Sequence, residues 1–244
     1  MNKRMILALV LVGMMISGCN VAGFGLWLFG ERPTHYVDST FDMETGLSLE
    51  GKTVAVLIYV EDEIKIEYGY IPQTLGRWIR EGLEYQDKER TDPAVKNIRV
   101  IHPDTVVRYM QSNPEWESTD KRKIARDLKA DYLIYVPLTA YTTREPGMLD
   151  AYRGTVVGDV EVYGAEDTSE DRDPLFMSDG GMEVSYPESR DKISYNRASE
   201  RMIQVEMEKQ FGTKIAKLFY GREELTLTED EQFTEPNQPT RERN

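Results

Sequence analysis

The 244-residue chain has one cysteine, two histidines and an excess of acid over base, with 30 Lys and Arg against 43 Asp and Glu and a formal net charge of -13. A single thiol excludes a disulfide framework and any multi-thiolate zinc or iron–sulfur site. The shortage of clustered Lys and Arg argues against a nucleic-acid partner, because phosphate contacts need them. Phosphate-binding loops are missing as well: neither the G-x-x-x-x-G-K-[ST] pattern nor G-x-G-x-x-G occurs, and Gly23-Phe24-Gly25 belongs to an apolar run. No Gly-x-Ser-x-Gly turn exists, and neither His35 nor His102 neighbours a patterned Ser or Asp. His102 precedes Pro103, as expected of a turn or cap residue. The residues therefore nominate no catalytic centre, no bound metal and no cofactor. Abundant acids make accidental carboxylate pairs, but none is singled out as a hydrolytic pair, and a hydrolase with an unrecognised site stays as a distant alternative.

What the chain does have is enough apolar surface for a core, with 40% hydrophobic residues, 14 Tyr and 3 Trp. It also has a distinctive start. Lys3 and Arg4 precede an apolar run from Met5 to Ile16, closed by the small residues Ser17 and Gly18. That is the layout of an export signal: basic start, apolar centre, small-residue cleavage site. The run is shorter than the roughly 20 residues a membrane-crossing helix needs. Ile16-Ser17-Gly18-Cys19 resembles the lipobox of bacterial lipoproteins. The resemblance implies that Cys19 is lipidated on sulfur and becomes the first mature residue, anchoring the body to a membrane outside the cytoplasm. Removing residues 1–18 would leave 226 residues and take away Lys3 and Arg4, moving the net charge from -13 to -15. The alternative is an uncleaved anchor continued by Val21 to Gly30, which places the body on the same side. Phe24, Trp27 and Phe29 follow the lipid site, where aromatic rings suit the headgroup level. Glu31 to Glu50 is polar and irregular and reads as a tether, so that residues 19–50 form a membrane-proximal segment.

Beyond it, residues 51–220 alternate strand and helix patterns. Thr53 to Val60 (TVAVLIYV) and Tyr132 to Val136 (YLIYV) predict strands buried on both faces, and Asn97 to Ile101 a third, shorter one. Helices are predicted from Pro72, through Leu75, Trp78, Ile79 and Leu83, and from Pro103, through Val106, Val107 and Met110, to a stop at Asn113-Pro114. Another begins at Ser118 or Thr119, with Ile124, Ala125 and Leu128 as its inner stripe. Pro137 marks a sheet edge or a bulge. Thr155 to Gly164 and Met177 to Tyr186 alternate as an antiparallel hairpin joined by the acidic loop Glu166 to Asp173. A long helix from Lys192 to Tyr220 repeats Ile203, Met207, Phe211, Ile215 and Phe219 at every fourth position. Residues 221–244 hold no apolar period and predict a disordered tail. The fold class is α/β, one domain of mixed sheet with helices packed on it and a long C-terminal helix.

Gly51-Lys52 before VAVL, followed by Ile124-Ala125-Arg126-Asp127-Leu128-Lys129-Ala130-Asp131-Tyr132-Leu133-Ile134, is similar to a small α/β domain shared by three sets of envelope proteins. These are the curli-type secretion lipoproteins, the amino-terminal domain of the Tol-Pal propeller protein and the lipoprotein activators of penicillin-binding proteins. The resemblance spans Gly51 to Val162 and departs at Pro137, where those families often carry glycine. It implies an interaction module with no catalytic residue to carry over. On that basis the chain is expected to dock an envelope protein partner, with Tyr68, Tyr70 and Trp116 as possible contacts and Trp78 in the core. The alternative is a subunit of a curli-like export channel, with the hairpin lining a barrel; glycines at 158, 164, 180 and 181 dilute its lipid face. In the acidic loop, Asp167, Ser169, Asp171 and Asp173 space oxygen ligands every second residue. Arg172 and Ser178, however, stand where a calcium loop needs Gly and Glu, which favours a solvated tip.

Replacing Cys19 with Ala is expected to leave an unprocessed precursor or release the protein. Mass spectrometry of the membrane fraction checks this; unchanged mature mass and partition would exclude lipidation.

Overall fold

The computed structural model describes residues 34–84, 98–145, 147–148, 150–167, 173–189, 195–196 and 199–225. The signal segment, Cys19 and residues 226–244 of the expected tail lie outside them. Within the described residues the strands are β1 (Thr34–Val37), β2 (Thr53–Val60), β3 (Arg99–Val100), β4 (Tyr132–Arg144), β5 (Tyr152–Gly158), β6 (Glu161–Gly164), β7 (Phe176–Met177), β8 (Met182–Tyr186) and β9 (Arg222–Leu225). The helices are α1 (Thr40–Thr45), α2 (Asp62–Glu67), α3 (Ile71–Glu84), α4 (Pro103–Ser112), α5 (Lys121–Asp127) and α6 (Glu200–Ala216), the last continued by a 3-10 turn at Lys217–Phe219. No described helix is long and apolar enough to cross a membrane. Two compact units are distinguished. The larger spans Tyr36–Arg222, and the described residues of the smaller are Thr34, His35 and Glu223–Leu225. β1 and β9 pair as a two-stranded sheet of their own.

The body is the α/β architecture expected, built on a seven-stranded mixed sheet of order β3-β2-β4-β5-β8, with β6 pairing β4 and β7. β2 and β4 run parallel in register from Val54↔Tyr132 to Val60↔Leu138, and β3 joins β2 in parallel. Their near-continuous apolar sequences suit this position, because helices cover both faces. On one face α3 and α6 close over Val54, Val56, Ile58, Ile134 and Val136; on the other, Val106 of α4 and Ile124 and Ala125 of α5 close over Ala55, Leu57 and Leu133. At the entry to the two central strands, Asp131 Oδ2 accepts from Thr53 N at 2.7 Å and Asp131 N donates to Thr53 O at 2.7 Å. The Ala130-Asp131-Tyr132 motif is thus a stitch between neighbouring strands.

Pro137 is not at a sheet edge as one expectation had it: it lies inside a strand of thirteen residues, opposite Tyr59 of β2, at the point where β4 exchanges its other neighbour. Tyr132 to Tyr135 face β6 and Leu138 onward faces β5, with a register shift between Leu138 and Ala140. Proline has no N–H to give a ladder, so the change of partner costs it nothing. The predicted hairpin is present but broken: Thr155 to Gly164 is β5 and β6 in succession, and its return is β7 and β8. Val156, Val160 and Val162 are buried in the core shared with α6. The buried stripe is as predicted, with Ile203, Met207, Phe211 and Ile215 on α6 and Phe219 in the 3-10 turn, but the helix begins at Glu200 and not at Lys192, since Tyr195 and Asn196 are not helical.

Two expectations are corrected. The body begins before Gly51, because Phe41 of the supposed tether is fully buried and packs its ring against Tyr132, Phe176 and Phe219 at 6.2, 5.8 and 5.6 Å. Ser39 caps α1 by accepting from Asp42 N, and Leu49 is buried too. At the other end Arg222–Leu225 is a strand where the tail was expected to begin. In addition, Asp62–Glu67, expected as a connection, is helical, and Asp120 itself caps α5 rather than Ser118 or Thr119.

Phe41→Ala is expected to lower stability by about 3–5 kcal/mol, the usual cost of emptying a phenylalanine site in a core. Urea unfolding of the full chain checks it, and an unchanged midpoint would return Phe41 to the tether.

Candidate functional site

The proposed contact residues separate on inspection. Tyr70 is 61% exposed, whereas Tyr68 and Trp116 are 9% and 5% exposed and belong to the interior. Trp116 packs its ring 6.0 Å from Tyr59 and sits 5.6 Å beneath Lys121 Nζ, so it is a core anchor under a cation. That Lys121 also lies 4.8 Å from the Tyr135 ring centroid, and burial holds its pKa below the ordinary lysine value against the opposing charges of Glu161, Glu117 and Asp120. Trp78 is half-buried on α3, opposite Gly212 of α6, where the backbones approach so closely that an added Cβ would meet Trp78 Cβ at 2.8 Å. His102 is the N-cap of α4, its Nδ1 accepting from Asp104 N at 3.3 Å. Cys19 lies outside the described residues. So do Ser169 and Asp171 of the acidic loop, while Asp167 lies 3.7 Å from the buried Arg122 guanidinium. Among the described residues no group of three or more His, Cys, Asp or Glu is arranged to hold a metal.

Tyr68 and Tyr70 do mark a place. Together with Glu67 and Thr74 they form one wall of a groove of about 650 Å³, whose other wall is Glu200, Arg201, Gln204, Val205 and Glu208 of α6. The α2–α3 connection supplies the first wall because Tyr68 ends α2 and its phenol is drawn inward. There it meets Thr143 of β4, which is fully buried, at 3.0 Å. Thr143 Oγ1 donates to Glu200 Oε1 at 2.8 Å. Its one proton is used in that bond, so Tyr68 OH is the donor to Thr143. A second chain runs alongside: Tyr141 OH donates to Glu208 Oε1 at 2.6 Å, and Gln204 Nε2 donates to the same oxygen at 3.1 Å. The Tyr68 and Tyr141 rings lie 4.8 Å apart and join the two chains by contact. Glu200 and Glu208 of α6 are therefore held on β4 by charge-assisted bonds, the stronger kind. Glu208, 2% exposed, would be costly in this position without them.

These residues are far apart in the chain, and sequence patterning missed Glu200, Gln204 and Glu208. The available signal was Glu208 itself, a charged residue next to Met207 in the buried stripe of a helix. Two of the residues lining the groove are exposed apolar side chains, Tyr70 at 61% and Val205 of α6 at 38%.

Comparison with known proteins adds fold-level neighbours only. No family model matches the chain, and no curated protein resembles it in sequence. Solved structures that align with it include PelC of Paraburkholderia phytofirmans, a dodecamer, at 10% identity over 78% of this chain and 99% of that chain, with a TM-score of 0.36. Lipoprotein GNA1162 of Neisseria meningitidis aligns at 13% identity over 65% of this chain and 96% of that one, with a TM-score of 0.35. CT253 of Chlamydia trachomatis aligns at 11% identity over 70% and 98%, also at 0.35. At this degree of likeness none of them decides a function.

Burial, before the charge of Glu208, raises the Tyr141 phenol well above the ordinary tyrosine value. Tyr68, Tyr135 and Tyr163 are raised by burial as well, and Tyr109 is pushed up to about 12. The unfolded chain releases these protons near pH 10. Stability from the neutral phenols is thus fully present below about pH 10 and declines as pH rises past it. Tyr141→Phe should flatten part of that alkaline decline. Near pH 7 it should cost about 1–3 kcal/mol by removing a donor from Glu208. Urea unfolding at neutral and alkaline pH checks both effects.

Proposed function

We propose that the chain is a bacterial envelope lipoprotein, anchored through Cys19, whose α/β body docks a protein partner and performs no catalysis. The lipobox-like quartet and the export-signal layout support the anchor. The groove between the α2–α3 connection and α6 supports the docking role, and it is the observation that carries it. Tyr70 and Val205, two exposed apolar side chains, line the groove together with the fixed carboxylates of Glu200 and Glu208. Exposed aromatic and aliphatic side chains beside a concave recess suit a contact with another protein. The export-channel alternative draws no support from the hairpin, whose valines Val156, Val160 and Val162 are already used against the helical layer.

A photo-cross-linking residue placed at Tyr70 of the membrane-anchored chain is expected to capture a discrete envelope protein. The same residue placed at Glu115, an exposed position near Trp116, should capture none. Equal adducts from both positions, or none from Tyr70, would contradict docking through this groove.

A further inference from the structure

The chemistry of the groove specifies what enters it, given that this is where a partner docks. Of its charged lining residues three are carboxylates, Glu67, Glu200 and Glu208, and one is a cation, Arg201. Glu208 is the informative member. Its two donors, Tyr141 OH and Gln204 Nε2, both end on Oε1, and Oε2 receives neither. A carboxylate offers about four acceptor positions on its two oxygens, and a buried one is stabilised by filling them. Oε2 is not among the enclosed oxygens that lack a partner, so it opens to the groove, where an incoming donor can reach it. Glu200, held in place by Thr143, stands on the same wall about two helical turns earlier. The rim supplies the other half of the specificity, since Tyr70 and Val205 flank the recess with apolar surface.

A lysine or arginine side chain satisfies both halves at once, laying its methylene stem on Tyr70 and Val205 and giving an N–H donor to Glu208 Oε2 below. We propose that the groove is a receptor for a lysine or arginine side chain carried by a basic, apolar segment of an envelope protein. The acidic character of the whole chain steers such a segment toward it. It also disfavours two other occupants, because phosphate headgroups meet carboxylates here and a second copy brings its own net charge of -13.

The test uses the full-length chain in neutral detergent micelles. Its probe is a short labelled peptide, Leu-Lys-Leu-Lys flanked by Gly and Ser, read by fluorescence anisotropy against empty micelles. Glu208→Gln is expected to weaken binding at least ~10-fold, because a charge-assisted bond is replaced by a neutral one. Glu81→Gln makes the same charge change on the exposed part of α3, outside the groove, and should stay within about twofold of wild type. Tyr70→Ala leaves the hydrogen-bonded floor untouched and should weaken binding several-fold, which keeps the test open if Glu208→Gln fails to fold. Equal losses from Glu208→Gln and Glu81→Gln would show diffuse attraction to an acidic protein and overturn the proposal. So would groove-dependent binding to phosphatidylglycerol vesicles in place of the peptide. Self-association in sedimentation that Tyr70→Ala abolishes would make the occupant a second copy, and would likewise overturn it. In each of these cases a cross-link from Tyr70 to an envelope protein would still stand, so failure here is distinct from failure of docking itself.

Discussion

The parallel pairing of β2 with β4 is the constraint on which the larger unit depends. Seven consecutive residue pairs, from Val54↔Tyr132 to Val60↔Leu138, place two apolar strands side by side with both faces to cover. Parallel neighbours cannot be joined by a tight turn, so the chain between them must cross over, and α2, α3, β3, α4 and α5 belong to that crossover. The helices fall on both faces because both need covering. What lies beyond β4 follows from its length. Once it outruns β2 it needs another partner, and β5 and α6 are laid against the protruding half, where Tyr141 and Thr143 meet Glu208 and Glu200 of α6.

Much of this was legible in the sequence wherever a single physical period dominates. TVAVLIYV and YLIYV are apolar without interruption because both faces are buried, and the repeat from Ile203 to Phe219 is visible because one side of a helix is. Pro137 was readable as an irregularity because a missing N–H has few places in a sheet. Legibility failed where burial is achieved by isolated residues. Phe41 and Leu49 are single apolar residues in a polar stretch and have no period to betray them, yet both are fully or almost fully buried. α2, sequence DEIKIE, has no fully buried residue and only Ile64 leaning on the core, too little for a helical period to show.

The site was legible in halves. Tyr70 was noticed for its aromatic character and is indeed displayed, but Tyr68 and Trp116 were grouped with it although their rings are used inside. Residue type alone cannot separate an aromatic anchor of the core from one offered to a partner. The carboxylate wall was invisible for a different reason: the bond between Tyr68 and Thr143 joins residues 75 positions apart, and that between Tyr141 and Glu208 joins residues 67 apart. Only the fold brings them to one recess.

A polar floor of this kind contributes little to stability beyond what a well-packed apolar contact would, since each carboxylate must first be desolvated. Its retention beneath an apolar rim is understood if something outside the chain completes it. Hydrogen–deuterium exchange of the full chain, compared between native membranes and the purified protein, tests this most directly. The account predicts added protection in membranes over the Glu67–Thr74 segment and the first turns of α6, with α5 unchanged. Protection confined to α5, or no difference between the two preparations, would contradict it.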